Sequence, residues 1–197
     1  MIASWVAALV SAYLIGAIPT AYLLVKWVKR IDVRAIGSGN VGATNATRAL
    51  GLRGGIAVFL LDAAKGLIAV LVIAPWGHPA PSTAQRLACG LAAVIGHNFP
   101  VFLKFRGGKG VSTTIGALLG TVPGPAGICL LIGLACFFLT RYVSLSSLVA
   151  SSALPIILLV MRRPRADVAL GVIFAGLILA RHRANIERLL QGKEHRF

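Results

Sequence analysis

An all-α integral membrane protein of seven short transmembrane helices is the fold class this sequence predicts, and three observations predict it. Of 197 residues, 57% are hydrophobic and only 13% charged, with a mean hydropathy of +0.86; a soluble chain carries about 25% charged residues. The apolar residues gather in runs near 2–25, 55–75, 86–103, 111–122, 125–140, 143–161 and 166–181. The 20 Lys and Arg, set against five acids for a net charge of +15, cluster at the ends of those runs.

The first run is long enough to span a bilayer at about 1.5 Å per residue. No basic stretch precedes it, so it reads as a span rather than a secretory leader. Its leading end is uncharged and its trailing end carries Lys26, Lys29 and Arg30. The positive-inside rule then puts the N-terminus outside and residues 26–53 inside. In the second run Asp62 and Lys65 stand three apart, a spacing at which they pair on a helix and give structural support near the site. The third run returns the chain to the inner face at Lys104. Residues 111–140 read either as one helix, giving six spans, or as two broken at Pro123, Gly124 and Pro125, giving seven. Six spans would leave Arg181, Arg183, Arg188, Lys193 and Arg196 outside; seven leave only Arg162, Arg163 and Arg165 there, so seven is expected, with the C-terminus inside. Several runs fall short of the roughly 20 residues of a straight span, which requires tilting or a thinned bilayer. Gly116, Gly120 and Gly124, four apart, suit close helix contact. Residues 1–197 are expected to form a single domain. The cysteines Cys89, Cys129 and Cys136 lie in apolar runs without metal-ligand spacing, which points to packing.

Three polar segments carry the candidate chemistry. In GSGNVGATNATR, residues 37–48, Gly37, Gly39 and Gly42 let backbone amides approach an anion. Ser38, Asn40, Thr44 and Asn45 add neutral donors, and Arg48 adds a fork suited to phosphate. The glycines match GxGxxG, but no strand surrounds them and no Lys-Ser/Thr follows, which excludes dinucleotide and Walker sites. In GHNFPVFLKFRGGKGVSTT, residues 96–114, Gly107, Gly108 and Gly110 bracket Lys109 just before a helix, another anion-binding arrangement. His97 and Asn98 sit at its membrane end, His97 as an orienting group. Lys104 and Arg106 fit snorkelling anchors as well as phosphate contacts. In RHRANIERLLQGKE, residues 181–194, His182 and Asn185 share a helix face. His182 and Glu187, five apart, do not, which removes a His/acid pair. Glu194 fits either a counter-charge or a site residue.

The segments contain no nucleophile elbow, no loop Cys/His arrangement, no paired carboxylates and no metal box. They suit an enzyme that positions two activated substrates rather than attacking one itself. A transporter of phosphorylated solutes, the main alternative, would bury its site at the midplane, usually with internal repeats; these motifs sit at span ends. A non-catalytic anchor has no need of three phosphate-type motifs. The basic residues lack the aromatic interleaving of a nucleic-acid binder.

In this order the three segments, with the Asp62–Gly66 stretch and the spacing of the spans, resemble the PlsY family of bacterial acyl-phosphate:glycerol-3-phosphate acyltransferases along the whole chain. The resemblance implies transfer of a fatty acyl group from acyl phosphate to the 1-hydroxyl of sn-glycerol 3-phosphate. Lysophosphatidic acid and phosphate are the products, in the first step of bacterial phospholipid synthesis. It implies a multi-pass protein of the bacterial cytoplasmic (inner) membrane, no metal or organic cofactor and no obligatory protein partner beyond the membrane lipid. It assigns Ser38, Arg48, Lys109, His182 and Asn185 to the glycerol phosphate and the acyl-phosphate anion. Gly37, Gly39, Asn40, Asn45 and Gly107–Gly110 shape the loops, and His97, Asn98 and Glu194 support the site. Glu187 departs from the family pattern, where a basic or polar residue is expected.

Overall fold

The computed structural model of the protein describes residues 2–197, and among them there is no β-strand. The helices are α1 (Ile2–Ala17), α2 (Thr20–Lys29), α3 (Ala43–Ile68), α4 (Ala74–Gly77), α5 (Thr83–Asn98), α6 (Val111–Thr121), α7 (Pro123–Thr140), α8 (Val143–Val160), α9 (Arg165–Arg181) and α10 (Arg183–Leu190). They form two units, one running up to Thr121 and one from Val122 onward.

In the first unit the leading apolar run is broken. Pro19 has no amide proton and restricts the residue before it, so α1 ends at Ala17 and α2 restarts at Thr20. The break leaves the carbonyls of Gly16 and Ile18 without helical partners, and both accept from Lys65 Nζ, at 3.2 and 2.9 Å. α3 kinks at Gly51, whose φ of 74° is open to glycine but strained for other residues. A π-helical turn, Ala69–Ile73, joins α3 to α4, and its Val70 carbonyl accepts from Arg86 Nη1 at 3.0 Å.

Backbone-to-backbone approaches set the helix crossings. α1 meets α5 where Gly16 faces the Ala93 carbonyl and Gly96 faces the Tyr13 carbonyl. α3 meets α6 where Gly66 faces Thr113 and Gly116 faces Ala63. A Cβ at any of these four would overlap a carbonyl oxygen. Of the three glycines singled out by spacing, only Gly116 makes such a contact. Gly120 meets the side chains of Val70 and Leu67, and the nearest group to a Cβ at Gly124 is Met161 Cε at 3.7 Å. Under the basic loops lies a core of Ala21, Val25, Val33, Val41, Ala46, Val58 and Leu103, which ties α2 and α3 to both polar segments.

In the second unit, Val122 leaves helical geometry and Pro123 opens α7. The break therefore falls one residue before the Pro-Gly-Pro sequence. The prolines occupy the first turn, where a missing amide donor is harmless. α7 packs on α8 and α8 on α9. Asp167, buried in the first turn of α9, pairs with Arg163 at 3.2 Å.

Among the described residues, five stretches are long and apolar enough to cross a membrane: Ile2–Lys29, Ala43–Gly77, Thr83–Leu103, Pro123–Thr140 and Val143–Val160. A sixth arises if Arg165–Arg181 and Arg183–Leu190, bent by 63°, count as one. The run expected to be a further span, 111–122, holds an 11-residue helix, Val111–Thr121, about 16 Å long against a hydrocarbon core of about 30 Å.

Candidate active site

The Gly37–Arg48 segment is organised by one side chain. Asn45 is buried in the first turn of α3; its amide donates to the carbonyls of Val33 (2.8 Å) and Ile36 (3.0 Å). Its Oδ1 accepts from the Ser38 amide at 3.2 Å. Asn45 thus folds the loop over the start of α3 and has little capacity left for a ligand. Gly37 and Gly39 take φ of 53° and 68°. A Cβ on Gly37 would sit 2.5 Å from Asn45 Oδ1 and 3.1 Å from Arg48 Nη1, so the Arg48 guanidinium lies back along the loop. Ser38 and Arg48 are exposed, Asn40 and Thr44 half-buried. A glycine turn, a helix N-terminus and an exposed guanidinium come together here, groups whose chemistry suits a cradle for an anion. Asp32, the acid nearest in sequence, does not oppose it. Arg34 grips Asp32 at 2.7 Å, and that hydrogen bond outweighs the small effect of burial and holds its carboxyl below the usual range.

The second segment differs from the open nest its glycines suggest. The Gly107 and Gly108 amides donate to the Asn98 and His97 carbonyls at 3.2 and 3.0 Å, closing the C-terminus of α5. The glycines serve close approach: a Cβ on Gly108 would overlap His97 Nε2 and come within 2.5 Å of the Val41 carbonyl. His97 and Val41 therefore hold the two basic loops together at Gly108. Gly110, at φ 79°, precedes α6 and lies against Asn98, whose fully buried amide has no hydrogen-bond partner among the described residues. Lys109 is half-buried, whereas Lys104 and Arg106 are exposed. Lys104 and Phe105 both adopt positive φ, an uncommon pairing for non-glycine residues, and reverse the chain ahead of Lys109.

Behind this junction lies a buried ionic cluster. Asp62 Oδ1 accepts from Lys65 Nζ at 2.6 Å and Thr20 Oγ1 at 2.5 Å, and His97 Nδ1 lies 3.5 Å away. His97 Nδ1 is 3.3 Å from Lys65 Nζ. The i, i+3 spacing foretold the Asp62–Lys65 pair. Thr20 and the tie to His97 were missed, because they depend on the Pro19 break and on how α1, α3 and α5 pack.

In the second unit, His182 Nδ1 lies 2.8 Å from the Ile178 carbonyl, so that nitrogen carries a proton. Asn185 donates to Glu194 Oε1 at 2.6 Å, Ser144 to the same oxygen at 2.9 Å, and Arg188 to Oε2 at 2.7 Å. Glu194 fastens the C-terminal tail to α8 and α10. Burial raises its pKa, but the hydrogen bonds from Asn185, Arg188 and Ser144 outweigh that and leave it lowered. A lowered carboxyl stabilises the fold above its unfolded pKa and loses that effect as pH falls through the folded value. Protease resistance of the tail, measured against pH, should hold at neutrality and fail in acid below about 4.5. In Glu194→Gln that acid step should be absent. Glu187 is exposed and pairs with Arg183 at 3.3 Å.

Comparison with known proteins supplies what geometry leaves open. The family model for glycerol-3-phosphate acyltransferase matches residues 6–192. A glycerol-3-phosphate acyltransferase of Syntrophomonas wolfei is 44% identical over 188 residues, covering 95% of this chain and 94% of that one. A counterpart in Synechococcus is 45% identical over 197 residues, covering 100% and 96%. A crystal structure of PlsY (YgiH), described as an integral membrane glycerol 3-phosphate acyltransferase in its glycerol 3-phosphate form, superposes with a TM-score of 0.91. It is 43% identical, covering 98% of this chain and 96% of that one. Its lysophosphatidic acid form gives 0.88 at 41% identity, covering 98% and 95%. Matched along nearly all its length, the chain belongs to the glycerol-3-phosphate acyltransferase family.

Proposed function

We propose that this acyltransferase takes its acyl group from acyl phosphate and delivers it to the 1-hydroxyl of sn-glycerol 3-phosphate. The hydroxyl oxygen forms a bond to the acyl carbon, the bond from that carbon to the phosphate oxygen breaks, and phosphate leaves with the electron pair. The leaving group is good, so the protein has no need of a nucleophile of its own. Cations aimed at phosphate stabilise the charge that develops there, and holding both substrates lowers the entropic barrier. A substrate phosphate oxygen accepts the hydroxyl proton. Ser38, Arg48 and Lys109 bind phosphate in the first unit, and His182 and Asn185 do so in the second. Seven short helices, an outside N-terminus and a cytoplasmic C-terminus in the bacterial inner membrane complete the reading. All 197 residues act as one domain.

The observation that carries the reading is the solvent-facing cradle of Gly37, Ser38 and Arg48, joined to the Lys109 loop through Val41, His97 and Gly108. Its test uses purified protein with palmitoyl phosphate and glycerol 3-phosphate, following phosphate and lysophosphatidic acid. Turnover with the acyl phosphate and none with palmitoyl-CoA is expected, together with its loss in Lys109→Ala. Equal turnover with palmitoyl-CoA would overturn the donor assignment.

A further inference from the structure

The Asp62–Lys65–His97–Thr20 cluster contributes no group to the cradle. A charge pair this deep is weak evidence for stability, since an apolar pair of similar volume often serves the fold as well. Its placement supplies another reason for it. Lys65 reaches the Gly16 and Ile18 carbonyls at 3.2 and 2.9 Å, so its ammonium is anchored to the backbone break before Thr20. Asp62 is held between that ammonium and the Thr20 hydroxyl, and both Asp62 and Lys65 face His97 Nδ1. The opposite edge of the same ring, Nε2, abuts Gly108, whose amide donates to the His97 carbonyl at 3.0 Å. One imidazole therefore spans from the buried charges to the backbone next to Lys109.

We propose that Thr20, Asp62 and Lys65 are positioning residues for the phosphate-binding loop. By fixing the rotation of the His97 ring they set where Gly108 lies against Val41, and hence where the Lys109 ammonium meets substrate phosphate. The inference rests on Lys109 serving the acyl transfer proposed above. Thr20 carries the cleanest signal. Its hydroxyl touches Asp62, and Thr20→Val removes that hydrogen bond at nearly constant volume while both charges remain.

The experiment is a double-mutant cycle on the full-length protein in detergent, measuring kcat, the KM of glycerol 3-phosphate, the KM of palmitoyl phosphate and the thermal midpoint. Thr20→Val should raise the KM of one phosphate-bearing substrate about tenfold, with the other KM within about twofold and the thermal midpoint kept. Thr20→Ser should restore the wild-type value. In the Lys109→Ala background, where turnover is lost, the cycle is read as equilibrium binding of each substrate in all four proteins, and Thr20→Val should change that binding little, because the group it positions is gone. A Thr20→Val protein with wild-type constants would overturn the positioning role while leaving the acyltransfer reading intact. So would an effect equally large in the Lys109→Ala background. Should Thr20→Val lower the thermal midpoint, Thr20→Ser and Thr20→Cys, which both lack the methyl group and differ from each other chiefly in hydrogen-bond strength, give the same ordering of KM or overturn the proposal. Absence of turnover with acyl phosphate in the wild type would overturn the underlying reading instead.

Discussion

Gly108→Ala should lower kcat/KM by about a hundredfold or more while the helices remain formed. The reason is space rather than backbone conformation. Gly108 is buried and its amide already closes α5 on the His97 carbonyl. A methyl group there meets the imidazole on one side and the Val41 carbonyl on the other. Neither neighbour is a flexible chain end: the ring is held by Asp62 and Lys65, and Val41 is core. The loop must move, and displacing a positioned group by about 1 Å costs on the order of a hundredfold in rate. Overpacking of this kind costs about 1–3 kcal/mol, which a folded protein tolerates. Gly176→Ala is the control. It lies in α9, where among the described residues the added carbon meets nothing within 4 Å beyond its own stretch of helix, so its activity should match wild type and its stability should rise by about 0.5–1 kcal/mol. Circular dichroism and the acyl-phosphate assay on the two variants together decide the matter. Wild-type turnover in Gly108→Ala would mean that this loop does not set the site.

Much of the molecule was legible in the sequence because lipid imposes a coarse grammar. Apolar runs became helices, basic residues gathered mostly in the loops and at the helix ends, and an i, i+3 pair of opposite charges became an ion pair. The parts that were not legible depend on tertiary approach. Four-residue spacing does not distinguish Gly116, which meets a backbone, from Gly120, which meets side chains. The break at Pro19 was hidden inside a run that reads as one span, although a proline followed by a hydroxyl residue within an apolar run is itself a signal of a break. For Gly107 and Gly108, sequence suggested amides open to an anion, whereas they cap a helix; a glycine pair is equally suited to either use. Asn45, read as a donor to substrate, has its amide committed to the loop's own carbonyls.

The same cluster that escaped the sequence reading gives the second large effect. Asp62→Ala should destabilise the protein by about 3–5 kcal/mol, because it leaves the Lys65 ammonium buried without its counter-charge. Asp62 and Lys65 are 1% and 5% exposed, so water cannot replace the lost partner, and the two carbonyls that Lys65 also reaches carry only partial charge. Replacing both members, as Asp62→Leu with Lys65→Met, removes the uncompensated charge and should recover most of the lost stability. Activity should not return with it. The apolar pair fills the volume but offers His97 Nδ1 neither an acceptor nor a donor, and the ring is then free to turn at Gly108. Thermal midpoints and kcat/KM on the single and double variants separate the two demands on this cluster. If stability and activity recover in parallel, the charges serve only the fold; if stability alone recovers, a buried ion pair has been kept in the membrane for the geometry it imposes.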